Sequence, residues 1–404
     1  MTKTALKFAN RTNNISAFEV MEFVKRANAL QDSGKPVIHL SIGEPDFTAP
    51  PAVLAALAKA SQAGLTQYTP ALGIAPLRAA VANYYGERFN VDLPASRIVI
   101  TAGASAALSL AACALVNPGD RVLMTDPSYP CNRNFIAAFD GIADPVKVSA
   151  DTRFQMTNSL IDKHWIKNGS AASGMLLATP ANPTGTSIPF DDLTAMTDNV
   201  ASRRGFSIID EIYLGLSYDS KPHSILEHTS DVIVTNSFSK FFHMTGWRLG
   251  WLVVPEHSIN VFERLAQNLY ICASALAQRA ALACFEPESM AIYDARALEF
   301  KLRRDYLIPE LKRIGFDIPA EPDGAFYIYL DCETILRKLG LNGTTALANK
   351  LLDEAHICLV PGADFGLNEP ERYMRLSYSV GLPTLKEAVA RLEKVLAKAS
   401  AKAA

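Results

Sequence analysis

Along the middle of the chain, apolar residues come in short unbroken runs rather than in alternation. Residues 97–101, 121–125, 174–179, 206–210, 232–237 and 249–254 are rich in aliphatic and β-branched side chains, and turn or polar residues bound them. Unbroken runs of this length predict strands buried on both faces, the mark of a mostly parallel sheet covered by helices. Helix-length patterns lie between several of the runs, as at 105–116 and 190–204. Strands alternating with helices place this part of the chain in the α/β class.

After about Pro287 the texture changes. Residues 289–314 read as one long amphipathic helix, with Gly315 as its stop. Strand-like runs follow at 326–330, 357–360 and 373–378, and a last helix at 385–398. This is α+β texture, expected of a second, smaller domain. The expected division is an N-terminal arm with part of the small domain (1–46), a large domain with the sheet (47–288) and a small C-terminal α+β domain (289–404). A chain of 404 residues exceeds what one small core needs, so two domains fit its length.

Composition narrows the function classes. Charged residues make up 20% and the formal net charge is -2, which gives no field for nucleic acid or an anionic membrane surface. The six cysteines form no C-x-x-C pair and read as reduced core residues. The seven histidines show no metal-ligand spacing, so no metal is expected. Lys3, Lys7, Arg11 and Glu19 interrupt the first twenty residues, and the longest apolar stretch, 106–116, is too short for a bilayer. A cytoplasmic protein without a leader or membrane span is the expectation.

The chemistry concentrates at strand ends. Lys240 follows the run 232–237 in a nearly uncharged stretch. Burial would lower its pKa and make its amine nucleophilic, as a Schiff-base lysine requires. Ser237, Ser239 and Arg248 surround it in sequence, and hydroxyls with a guanidinium suit a phosphate. Gly103, Ala104 and Ser105 sit between a strand and a helix start, where backbone N–H groups receive anions. Asp210 ends another strand with Tyr213 three residues on, and in open α/β sheets ligands sit at such ends. Asn182 lies in the turn after the run 174–179. Tyr129, after a further strand, could stack on a planar ring. Arg375 alternates with apolar residues on a strand and suits a carboxylate. Each position alone also has a plain structural reading: a solvated turn lysine, an N-capping aspartate, an outward-facing arginine.

In order along the chain, Ser41–Asp46, Gln67–Gly73, Gly103–Ser105, Tyr129, Asn182–Gly185, Asp210–Tyr213, Ser237–Lys240, Gly246–Arg248, Pro322–Phe326 and Arg375 resemble the class I aminotransferases of pyridoxal 5′-phosphate (PLP) fold type I, the aspartate aminotransferase-like family. The resemblance runs from about residue 10 to about 395. It implies PLP as cofactor, with Lys240 forming the internal aldimine and moving the proton at Cα. It implies that Asp210 pairs with the pyridine nitrogen, that Asn182 and Tyr213 tune the phenolate, and that Tyr129 stacks on the ring. Gly103, Ala104, Ser105, Ser237, Ser239 and Arg248 would hold the phosphate, and Arg375 the substrate carboxylate. Gly43 would lie in a loop closing over substrate, and Tyr68 would reach the phosphate of a neighbouring subunit in a homodimer. Transfer from an L-amino acid to a 2-oxo acid, 2-oxoglutarate or pyruvate, would run by a ping-pong mechanism. No second cation for a distal carboxylate is visible, so a neutral or aromatic donor is preferred.

The same lysine and aspartate serve other reactions, and a PLP-dependent C–S lyase is the alternative. A PLP-sensing regulator would need room for a DNA-binding domain ahead of the matched region. Ser237 to Lys240 also fits S-x-x-K of serine acyl-enzymes, but the companion K-T-G is absent.

Overall fold

A computed structural model of the chain describes residues 6–15 and 20–400, the side chains of 398–400 excepted. Seven strands form the central sheet: β1 (Ile98–Thr101), β2 (Arg121–Asp126), β3 (Ile142–Lys147), β4 (Gly174–Ala178), β5 (Phe206–Asp210), β6 (Ile233–Ser237) and β7 (Gly250–Val253). Their order is β1-β7-β6-β5-β4-β2-β3. Neighbours from β3 through β6 are parallel, while β7 is antiparallel to both β1 and β6. A parallel return needs a crossover, usually a helix. The connection from β6 to β7 holds only a short 3-10 turn, Thr245–Trp247, so the chain reverses. That connection carries Lys240 and Arg248 at the sheet's carboxyl edge.

All six expected strands of the sheet are present within a residue or so of their expected ends. β3 has no counterpart among the sequence expectations. It is an edge strand with alternating burial and a proline, Pro145, inside it, so it has no unbroken apolar run. Successive residues of the inner strands feed two different cores. Leu123, Met175, Leu177, Ile209 and Val234 join one; Val122, Met124, Leu176, Ile208 and Ile233 join the other. Both faces are therefore covered, which is what the unbroken runs encode.

The expected long helix is Pro287–Arg313, and the last is Leu382–Ser400. A second sheet contains β8 (Tyr327–Asp331), β9 (Val360–Pro361) and β10 (Tyr373–Ser377), ordered β8-β10-β9 and antiparallel throughout. The expected strand at 357–360 is in fact two bridges. Ile357–Cys358 pairs in parallel with Ile38–His39, while Val360 pairs with Arg375. The first pairing carries the segment after His39 toward the carboxyl edge of the large sheet. No helix among the described residues is long and apolar enough to cross a membrane, and all six cysteines are free thiols.

Candidate active site

A cavity of about 400 Å³ opens at the carboxyl ends of the large sheet's strands. Gly43, Ala104, Ser105, Tyr129, Asn182, Asp210, Tyr213, Ser239, Lys240, Arg248 and Arg375 line it. Residues up to 332 positions apart in sequence thus converge on one space. Gly103, Ser237 and Tyr68 are not part of the lining.

Lys240 is half-buried, and its Nζ donates to the Gly43 carbonyl at 2.5 Å. Burial pushes its pKa down to about 8, with Arg375 and Arg248 adding to the effect and Glu44 and Asp210 opposing it. The depression raises the share of neutral amine near neutral pH far above that of an ordinary lysine, and the neutral form is the one that acts as nucleophile or base. The Nζ also lies 5.9 Å from the ring centroids of Tyr213 and Phe326.

Asp210 ends β5 with its carboxyl buried. Thr235 Oγ1 on β6 donates to Asp210 Oδ1 at 2.9 Å, and the Ile212 N–H donates to the same oxygen at 3.2 Å. Burial nevertheless pushes its pKa up to about 6 against those bonds. A carboxylate so desolvated gains from a cationic partner brought into the cavity.

Of the residues expected at a phosphate, Ala104, Ser105, Ser239 and Arg248 line the cavity, and Gly103 and Ser237 lie behind them. The helix Ala104–Leu115 starts at the cavity with no side-chain cap, its first turn presenting Ala104 and Ser105. Gly103 sits behind it at φ +85°, and a Cβ there would overlap the Arg248 guanidinium. Only glycine satisfies both constraints. Ser237 is buried beneath the wall; its Oγ donates to Ser239 Oγ at 2.9 Å and lies 3.0 Å from the Leu249 carbonyl. From there it braces Ser239, which lines the cavity. Arg248 Nη1 donates to the Thr245 carbonyl at 2.9 Å.

Arg375 projects from β10 and is buried. Nη1 donates to Asn182 Oδ1 at 2.9 Å and Nη2 to the Ser41 carbonyl at 2.5 Å. Its Nε has no partner among the described residues, and none of the ion pairs among them involves it. A buried guanidinium held by neutral groups retains a strong demand for an anion.

Tyr327 was not singled out from the sequence, yet it ties the site together. Its hydroxyl is 2.8 Å from that of Tyr213, and the Arg375 guanidinium stacks 4.6 Å from its ring centroid. A Cβ on Gly43 would overlap the same hydroxyl. The register explains the stacking: Tyr329 pairs with Arg375 and Tyr327 with Ser377, so Tyr327 lies diagonally from Arg375 on one face of the sheet. Ser41, Val20, Met21 and Val24 also line the cavity and were not expected there. Tyr327 directly follows the quoted Pro322–Phe326 segment, the one signal that could have found it. Tyr68 is 81% exposed and away from the cavity of its own chain.

The family described as aminotransferase class I and II matches residues 35–392. The valine–pyruvate aminotransferase of Mycobacterium tuberculosis is 34% identical over 94% of this chain and 96% of its own length. The (5-formylfuran-3-yl)methyl phosphate transaminase of Methanocaldococcus jannaschii is 33% identical over 96% of this chain and 100% of its own. A crystal structure of an aminotransferase from M. tuberculosis superposes with a TM-score of 0.92 at 34% identity, covering 98% of this chain and 100% of that one.

Proposed function

Because the chain belongs to the class I and II aminotransferases, a PLP-dependent enzyme family, we propose that it moves an amino group from an L-amino acid to 2-oxoglutarate or pyruvate in ping-pong order, with Lys240 as the covalent anchor of the cofactor. The observation that carries this reading is the meeting, in one cavity, of a lysine lowered to about 8, a buried aspartate and a buried arginine without an acidic partner.

The residues present suit PLP. Ala104, Ser105, Ser239 and Arg248 would hold its phosphate, with Gly103 leaving room for the Arg248 guanidinium and Ser237 bonded to Ser239. Asp210 would pair with the ring nitrogen, Asn182 and Tyr213 would hold the phenolate oxygen, and Tyr129 would stack on the ring, since all four line the same cavity. When bound, the cofactor supplies the electron sink that makes the substrate Cα proton acidic.

The chain's own residues do the rest. Arg375 grips the α-carboxylate with its remaining donor capacity, and Asn182 and Ser41 fix the plane of the fork. Gripping the carboxylate orients the Cα bonds, a positioning effect worth up to roughly 7–11 kcal/mol in the best intramolecular cases. Lys240 Nζ, in its neutral form, takes the Cα proton. Gly43, over Lys240, belongs to the segment that covers the substrate. We further propose a homodimer in which Tyr68 serves the neighbouring subunit's site, a cytoplasmic location, and a division at 46/47 and 288/289. The long helix beginning at Pro287 supports the second boundary.

The test is the visible absorption of the purified protein before and after amino acids are added. The cofactor band should convert to the amino form and return on adding a 2-oxo acid. A band that persists while ammonia and an oxo acid accumulate would support the C–S lyase instead.

A further inference from the structure

The cavity contains three cations, Lys240, Arg248 and Arg375, and no other Lys, Arg or His among its described lining residues. On the proposed function each is already engaged: Lys240 and Arg248 by the cofactor, Arg375 by the α-carboxylate. No cation remains for a second carboxylate. The rest of the wall includes a group of apolar side chains from three separate segments: Val20, Met21 and Val24 on the helix Val20–Asp32, Ile42 beside Gly43, and Leu108 one turn into the helix that starts at Ala104.

Two of these keep much of their surface accessible at the cavity. Met21 is 48% exposed and Ile42 39% exposed, although both line a cavity. Val20, in contrast, is anchored in a core with Phe154, Tyr329 and Phe365, and Val24 packs against that core. The helix is thus fixed on one side through Val20 and Val24, and Met21 lines the cavity. An apolar ligand tail seated between Met21 and Ile42 would remove that surface from water; a charged tail would lose hydration and gain no partner.

We propose that this site takes L-amino acids with a medium or large apolar side chain, and that Met21 and Ile42 are the residues that read it. The same wall disfavours a dicarboxylate as amino acceptor, so of the two acceptors pyruvate fits and 2-oxoglutarate does not. The inference rests on the proposed function for the roles of Lys240, Arg248 and Arg375.

The experiment is calorimetric titration of the holoenzyme with unreactive carboxylates: acetate, 4-methylpentanoate, 3-phenylpropanoate, succinate and glutarate. Turnover is measured in parallel with leucine, methionine, phenylalanine, aspartate and glutamate. The expected result is at least tenfold tighter binding of 4-methylpentanoate or 3-phenylpropanoate than of either dicarboxylate. Met21→Ala and Ile42→Ala should each weaken 3-phenylpropanoate several-fold and leave acetate unchanged, a ratio that a general loss of structure would not produce. Dicarboxylates binding as tightly as the apolar acids would overturn the inference, and would point to a cation from a neighbouring chain. If that occurs while amino acids are still converted, the aminotransferase reading survives alone. If the apolar acids win but no amino acid is converted, Met21 and Ile42 stand as readers of an apolar carboxylate, and the choice of acceptor falls with the transamination reading. No binding of any carboxylate overturns the inference together with the assignment of Arg375.

Discussion

Arg375 and Asn182 meet inside the protein, Nη1 donating to Oδ1 across 2.9 Å, although 193 positions separate them in sequence. The bond joins β10 of the small sheet to the turn after β4 of the large one. It also fixes the plane of a guanidinium that has no acidic partner among the described residues. A carboxylate that docks there gains charge-assisted bonds worth about 1.5–3 kcal/mol each. Arg375→Ala should therefore lower kcat/KM by roughly ten- to a hundredfold or more for every amino acid tested. Asn182→Ala should raise KM less, since it removes the brace and leaves the charge. Steady-state kinetics on several donors checks both; equal effects on α-carboxylate and non-carboxylate amines would contradict the assignment.

Lys240→Ala removes the proton carrier along with the anchor. A positioned acid–base group contributes about 10²–10⁴-fold, so single-turnover conversion should fall by at least that factor. The cradle residues remain, so PLP should still bind noncovalently. Single-turnover absorbance follows both quantities, and near-normal conversion would remove Lys240 from the mechanism.

Ser237 touches Ser239 and the Leu249 carbonyl but not the cavity. Ser237→Ala should weaken PLP binding by about 0.5–1.5 kcal/mol, the net worth of an ordinary hydrogen bond, which is a two- to tenfold rise in Kd. Turnover at saturating cofactor should stay near wild type. Fluorescence titration of the apoenzyme measures the first quantity. A large fall in kcat would return Ser237 to direct contact.

The strands that build the large sheet were legible because burial on both faces leaves a continuous apolar signature. β3 was not, because an edge strand alternates and tolerates Pro145. Asp210 and Lys240 were legible for a related reason: a charge at the end of an apolar run stands out, and strand ends are where α/β sheets place ligands. Tyr327 and Met21 carry no such contrast. A tyrosine in a strand and a methionine in an amphipathic helix are ordinary core residues until packing brings β8 and the helix Val20–Asp32 to the same cavity. Gly103 and Ser237 lie one layer behind the cavity wall, because sequence adjacency does not say which neighbour faces the space.

Glu211 gives a pH-dependent stability signature. It is fully buried, accepts from Ser224 Oγ at 2.9 Å and from the Ile225 N–H at 2.9 Å, and burial pushes it up to about 8 from an ordinary 4.5. The folded chain then holds a proton that the unfolded chain has released between those values. Its contribution is complete below pH 4.5 and is lost as pH rises through about 8. Asp210 adds a smaller loss of the same sign, ending near pH 6. Apoenzyme stability should therefore fall by roughly a few kcal/mol from pH 5 to pH 8. Glu211→Gln should flatten most of that slope. Urea unfolding at several pH values tests it, and an unchanged slope in Glu211→Gln would show that Glu211 does not titrate in this range.

Lys240 has the opposite sign. Burial lowers it from 10.5 to about 8, so the folded apoenzyme holds fewer protons than the unfolded chain between those values. The charged amine is a penalty present below pH 8 and relieved as pH rises toward 10.5, so this group alone raises stability with pH in that window. Its kinetic consequence is more direct. Only the neutral amine attacks an aldehyde, and its fraction climbs through pH 8 and then levels. The rate of covalent capture of PLP by the apoenzyme should rise about tenfold per pH unit well below 8, each tenfold step being about 1.4 kcal/mol, and reach a plateau above it. Stopped-flow absorbance on mixing apoenzyme with PLP gives the profile. Arg375→Ala removes a positive neighbour that holds the amine down, so the midpoint should move upward in that variant. A midpoint that stayed in place would mean that Arg375 does not help to depress Lys240; a profile still rising steeply beyond pH 9 would mean the amine is not depressed at all.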